Sequence, residues 1–117
     1  MSKTYLANTF SLNMLFPTKV KVTVEPLQQE GFCMKLEEAF RNESFVNAIG
    51  HDSTVYLVNK LCGTIITKNR VEVKLRKGDV ALVIMISQRL EEGKVLTKEE
   101  ITKMLEEGKI SFYKVKV

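Results

Sequence analysis

Val80-Ala81-Leu82-Val83-Ile84-Met85-Ile86 is a run of seven apolar residues, mostly β-branched, and its reading decides the fold. A run this short and continuous fits a strand covered on both faces, whereas a strand with one wet face would alternate. Arg76-Lys77-Gly78-Asp79 bounds it upstream as a turn, and the polar segment Ser87-Gln88-Arg89-Leu90-Glu91-Glu92-Gly93-Lys94 bounds it downstream. A strand buried on both sides belongs inside a layered sheet. The expected class is therefore α/β: one layered domain over residues 1–117, with a mixed, about five-stranded sheet flanked by helices.

Outward from that run, Arg70-Val71-Glu72-Val73-Lys74-Leu75 alternates as a strand. Thr97-Lys98-Glu99-Glu100 has the form of a capping box for a helix carrying Ile101, Met104 and Leu105, which Gly108 would stop. Ile110 to Val117 predicts a last strand, its lysines suited to a solvated or edge position. This final strand–helix–strand unit is expected to be parallel and right-handed. Toward the N-terminus, Tyr5-Leu6-Ala7 predicts a short strand, and Lys19-Val20-Lys21-Val22-Thr23-Val24 predicts another. Between Pro26 and Asn47, Phe32, Cys33, Leu36 and Phe40 favour a helix, although Met34, Leu36 and Glu38 also fit alternation. Asn42-Glu43-Ser44 marks a break, and Phe45, Val46 and Ile49 lead onward from it.

That lead ends in Gly50-His51-Asp52-Ser53-Thr54, which contains the single histidine of the chain. Val55, Val58, Leu61 and Cys62 then recur at helical spacing, Gly63 sits where the helix would stop, and Asp52 or Ser53 is placed to cap the first turn. His51 thus precedes a helix N-terminus, whose free N–H groups and positive dipole end attract anions, phosphate in particular; Ser53 and Thr54 add hydroxyls. The plainer alternative is a capped loop whose imidazole binds a backbone carbonyl. Asn8, Ser11 and Asn13 follow the first strand, and Gln88 to Glu92 follow the buried one. Ligands of open α/β sheets bind outside the carboxyl ends of strands, so both clusters and His51 are expected at one sheet edge.

Composition sets outer bounds. Hydrophobic residues are 44% and charged residues 27%, as in an ordinary globular domain. The longest apolar run is far short of the roughly 20 residues that span a bilayer, and Met1-Ser2-Lys3-Thr4 lacks a signal-peptide pattern, so the expected location is cytoplasmic, with no membrane partner. Cys33 and Cys62 sit among apolar neighbours without a CxxC partner and are expected as reduced core thiols. One histidine and two cysteines build no zinc cluster, so no metal and no cofactor is expected. Eighteen Lys and Arg against 14 Asp and Glu give a net charge of +4 and a pI near 9.1, which favours an anionic partner. The cations (Lys19, Lys21, Lys60, Lys68, Arg70, Lys74, Arg76, Lys77 and Arg89) are scattered without an aromatic-interleaved stripe, so a small multiply charged ligand fits about as well as a polynucleotide.

Three motifs stand together: Leu6-Ala7-Asn8 with Phe10-Ser11 and Asn13-Met14-Leu15; Asn47-Ala48-Ile49 with Gly50 to Thr54; and Ser87 to Lys94. In this combination the chain resembles the viral type III anti-CRISPR ring nucleases, small proteins of archaeal viruses and some bacterial elements that destroy cyclic tetra-adenylate. Lys68-Asn69-Arg70-Val71-Glu72-Val73 and Lys109-Ile110-Ser111-Phe112-Tyr113 add to the likeness, which covers most of the chain outside roughly 16–45. The resemblance implies a homodimer holding one ring across its two-fold axis, in the host cytoplasm. It further implies metal-independent attack of a ribose 2′-hydroxyl on the adjacent phosphate, yielding linear di-adenylate. By the same resemblance His51 is the general acid, Arg89 stabilises the developing charge, and Glu92 orients His51 or the 2′-hydroxyl. Ser11, Asn8 and Asn13 align ribose and phosphate, and Gly50, Ser53, Thr54, Arg70 and Gln88 complete the substrate contacts. A non-catalytic nucleotide sponge and a nucleic-acid-binding regulator are the alternatives; the plainer reading of Gln88 to Glu92 is a solvated charged turn with Arg89 and Glu92 as a surface pair.

Overall fold

The computed structural model describes residues 2–87 and 96–117. Five strands, β1 (Thr4–Ala7), β2 (Thr23–Leu27), β3 (Phe45–Asn47), β4 (Val80–Ile86) and β5 (Ile110–Lys116), form one mixed sheet in the order β2-β5-β4-β1-β3. Three helices accompany it: α1 (Gln29–Phe40), α2 (Asp52–Cys62) and α3 (Lys98–Glu106). The class is α/β, as the apolar run from Val80 predicts. That run is β4, and Ala81, Leu82, Val83 and Ile84 are each at most 1% exposed.

Two cores explain why both faces of β4 are covered. Leu6, Leu82, Ile84, Ile110 and Phe112 point to the face on which all three helices pack, meeting Phe32 and Leu36 of α1, Leu57 and Val58 of α2, and Ile101 and Met104 of α3. Phe32, Leu36 and Ala39 fall on one stripe of α1, and the Phe32 ring lies 4.9 Å from that of Phe112. Each such side chain contributes about 1.5–3 kcal/mol on burial, more than the intrinsic propensity differences within a short helix. Tyr5, Ala81, Val83 and Val115 point the other way, onto Val73, Leu75 and Leu15. No α-helix covers that face among the described residues; irregular chain and a short 3-10 turn do. Burial there pushes the Tyr5 phenol above its ordinary pKa, with the Asp79 carboxylate reinforcing and Arg76 opposing.

This covering chain corrects one expectation. Arg70–Leu75 is not a ladder strand; among the described residues its sheet-like pairing is limited to an isolated bridge from Leu75 to Leu15. The segment alternates because Val73 and Leu75 are pressed onto the sheet face while Glu72 and Lys74 stay wet, which gives a period of two without a partner strand. A second correction concerns the segment from Lys19 to Val24, of which only Thr23 and Val24 enter β2. Thr23 pairs with Lys116 at the end of β5, so the residues before it have no strand left to pair with. Pro26 is tolerated because β2 is an edge strand.

The unit β4–α3–β5 is antiparallel, not parallel. Ile86 pairs with Ile110 and the Ser87 amide donates to the Lys109 carbonyl at 2.9 Å, so β5 starts where β4 stops and α3 is an excursion within that connection. β5 is also an interior strand, because β2 lies outside it; Lys116 is exposed and Lys114 half-buried. The capping box is present, with Thr97 Oγ1 accepting from the Glu100 amide and the Glu100 carboxylate from the Thr97 amide, both at 3.1 Å. Gly108 adopts φ 70° just after α3, and Gly63 adopts φ 67° as the cap of α2.

Cys33 and Cys62 are not reduced thiols; they form a disulfide with Cα atoms 5.2 Å apart. α1 and α2 lie side by side on the sheet, which brings together two residues 29 apart in sequence. No helix among the described residues is long and apolar enough to cross a membrane.

Candidate active site

β1, β3 and β4 are parallel neighbours, so their carboxyl ends share one sheet edge. Asn8 follows β1, Gly50 and His51 follow β3, and Ser87 follows β4, which places the first two sequence motifs and the first residue of the third at that edge. Gln88, Arg89 and Glu92 lie outside the described residues; the chain leaves the edge at Ser87 and is next described at Leu96, buried in the helix-side core.

His51 itself is the N-cap of α2, in place of the expected Asp52 or Ser53. Its backbone is extended (φ −128°, ψ 127°) and its carbonyl accepts from the Val55 amide at 3.1 Å. Asp52 and Ser53 fall inside the first turn, where a carboxylate suits the dipole but does not cap. The imidazole is exposed and makes no capping bond. Ser53 and Thr54 are largely buried, 8% and 6% exposed, within the first turn of α2, whose leading backbone amides have no partner inside the helix.

A polar lattice fixes the approach to His51. The Asn47 side chain donates to the Thr67 carbonyl (2.6 Å) and accepts from the Ile49 amide (3.1 Å), while Asn69 donates from its side chain to the Asn47 carbonyl (2.7 Å) and from its amide to the Ile49 carbonyl (2.8 Å). Arg70 Nε then reaches the Gly50 carbonyl at 3.2 Å, and Lys68 Nζ lies 3.4 Å from the Asp52 carboxylate. Asn47, Lys68 and Asn69 are additions to the residues that the sequence nominates for the site. Their sequence signal is Lys68-Asn69-Arg70, a compact polar run whose partners only the fold reveals.

The same covering chain continues to the other polar cluster. Lys74 Nζ donates to the Asn13 carbonyl at 2.7 Å, and the Leu75 amide to that of Met14 at 2.7 Å. Three residues lie between Arg70 and Lys74, so their Cα atoms are within about 14 Å of each other. Ser11 and Asn13 lie at a 3-10 helix, Leu12–Met14, held by backbone bonds, with no capping bond from Ser11. Ser11 and Asn13 are exposed and Asn8 is half-buried. Lys68, Arg70 and Lys74 face two carboxylates here, Asp52 and Glu72, leaving the strip cationic among the described residues. Among those residues no group of three or more His, Cys, Asp or Glu is placed to hold a metal.

A mixed five-stranded sheet with helices on one face, a covering coil on the other and a polar edge at its parallel strands defines a small α/β domain with a candidate ligand edge. Residues 4–113 match the STIV B116-like family, and the chain belongs to that family of small archaeal viral proteins. It is similar to B116 of Sulfolobus turreted icosahedral virus, with 56% identity and a TM-score of 0.94 over 99% of this chain and 100% of that one. It is also 43% identical to ORF116 of Acidianus filamentous virus 1 over 113 residues, 97% of this chain and 94% of the relative. Protein 26 of Sulfolobus islandicus filamentous virus is 38% identical over 60 residues, 51% of each chain.

Proposed function

We propose that this protein is a ring nuclease that binds cyclic tetra-adenylate and cuts it to linear di-adenylate without a metal, which would switch off type III CRISPR signalling. The observation that carries this reading is the exposed His51 imidazole at the start of α2, with Arg70 locked on the preceding carbonyl. An anion at these amides meets the dipole, a guanidinium and a proton carrier together. Asn8, Ser11 and Asn13 stand ready for ribose and phosphate.

In the proposed step, a ribose 2′-oxygen attacks its own adjacent phosphorus and loses its proton to solvent or a nearby base. The bond from phosphorus to the 5′-oxygen breaks, and His51 gives that oxygen a proton, leaving a 2′,3′-cyclic phosphate and a 5′-hydroxyl. Arg89, Glu92 and Gln88 enter by resemblance, as charge stabiliser, orienting carboxylate and ligand contact. One chain brings one His51, so two cuts per ring call for a homodimer with the ring on its two-fold axis.

The test is purified protein with cyclic tetra-adenylate in excess chelator. Conversion to di-adenylate is expected; an intact ring after long incubation at enzyme excess refutes the nuclease. Tight binding without conversion would make the protein a sponge, and preference for duplex DNA with a steep salt dependence would make it a regulator.

A further inference from the structure

The opposite end of the sheet holds a second constellation. Lys19 and Lys21 lead into β2, Arg76 and Lys77 lead into β4, and Val117 follows β5; the pairing of Lys116 with both Thr23 and Val80 brings these stretches together. They line a cavity of about 610 Å³ whose apolar wall includes Phe16, Val20 and Leu75. β4 separates it from the His51 edge by roughly 20 Å.

The cavity is built rather than incidental. The Leu15–Leu75 bridge sets Phe16 beside Arg76, whose guanidinium lies 5.0 Å from the ring centroid. Asp79, 4% exposed, accepts from the Lys3 amide and the Arg76 amide, both at 2.8 Å, and its own amide donates to the Arg76 carbonyl. The Gly78 amide ties this turn to the Val117 carbonyl at 2.7 Å. Lys19, Lys21, Arg76 and Lys77 form no ion pair with a carboxylate among the described residues. Four neighbouring cations without an ion-pair partner outnumber the single Asp79 carboxylate of this turn, and a bound polyanion relieves their mutual repulsion.

We infer that this cavity is a second ligand site, separate from the His51 edge, that takes a nucleoside polyphosphate: phosphates on Lys19, Lys21, Arg76 and Lys77, the base against Phe16. The volume falls within the range of small-molecule pockets, and a concave apolar wall with a cationic rim suits a ring carrying several phosphates. Phe16 is 37% exposed, which leaves room for stacking on a ring already oriented by Arg76.

Calorimetric titration with adenosine triphosphate tests this, with inorganic tripolyphosphate as the ring-free probe. Saturable binding of one triphosphate per chain below about 1 mM is expected, weakened about tenfold or more by Lys19→Ser with Lys21→Ser. Both lysines are exposed and outside the sheet ladder, so that variant should fold. Phe16→Leu should weaken the nucleotide but not tripolyphosphate, and His51→Ala should change neither. Absence of saturable binding, insensitivity to the lysine pair, equal loss in both probes on Phe16→Leu, or loss with His51→Ala would each overturn the site. Its outcome is independent of whether His51 cuts a ring.

Discussion

Arg70 lies across Gly50 so closely that a Cβ built on the glycine would stand 2.5 Å from the arginine Cγ. The glycine is there for space: its φ is not positive, and the same arginine donates to its carbonyl. Gly50→Ala should therefore push Arg70 off the approach to His51 with a stability change of about 1 kcal/mol or less, while ring affinity falls about tenfold, as in Arg70→Ala. Titration of both variants checks this; a Gly50→Ala protein that binds like the parent would mean that Arg70 does not contact the ligand.

His51→Ala should leave ring affinity within about twofold and slow cleavage by roughly 10²–10⁴. Single-turnover rates at saturating enzyme separate the two quantities. The exposed ring makes no capping bond, so no loss of helix stability should confuse the result.

Breaking the Cys33–Cys62 link by reduction, or by a double change to alanine, should lower stability by roughly 3–4 kcal/mol, the entropy returned to an unfolded loop of about 30 residues. Urea unfolding with and without reductant measures it. Identical curves would mean that the bond contributes no net stability to the folded protein.

Asp79→Ala should cost about 2–4 kcal/mol, because the Lys3 and Arg76 amides lose their acceptor in a part-buried turn. Asp79→Asn keeps one acceptor and should fall between. Thermal melts of the three proteins give the order, and an alanine variant as stable as the parent would show that water replaces the carboxylate.

What is legible in the sequence follows from local physics. Continuous apolarity marks β4, the Thr97–Glu100 pair marks the start of α3, and Gly63 marks the end of α2, because each is decided within a few residues. What is not legible depends on long-range partners. The direction of β5 turns on where the chain re-enters beside Ile86, and a connection from Ser87 to Lys109 has length enough for either sense. The disulfide needs α1 beside α2. Arg70–Leu75 alternates for a sheet face rather than for a neighbouring strand. At the site, Arg70 meets the Gly50 carbonyl beside His51 across 20 residues, and Ser53 and Thr54 are buried by packing that a helix start alone does not reveal.

The coil over the Tyr5 face is held to the sheet by the burial of Val73 and Leu75 and by side-chain bonds rather than by ladder pairing, so it can peel away without breaking a rung. Amide exchange should then occur in two tiers, residues 64–76 exchanging through a low-energy opening and β4 only through global unfolding. Arg70 and Lys74 ride on the first tier, so the cationic strip beside His51 can come and go while the scaffold beneath it stays closed.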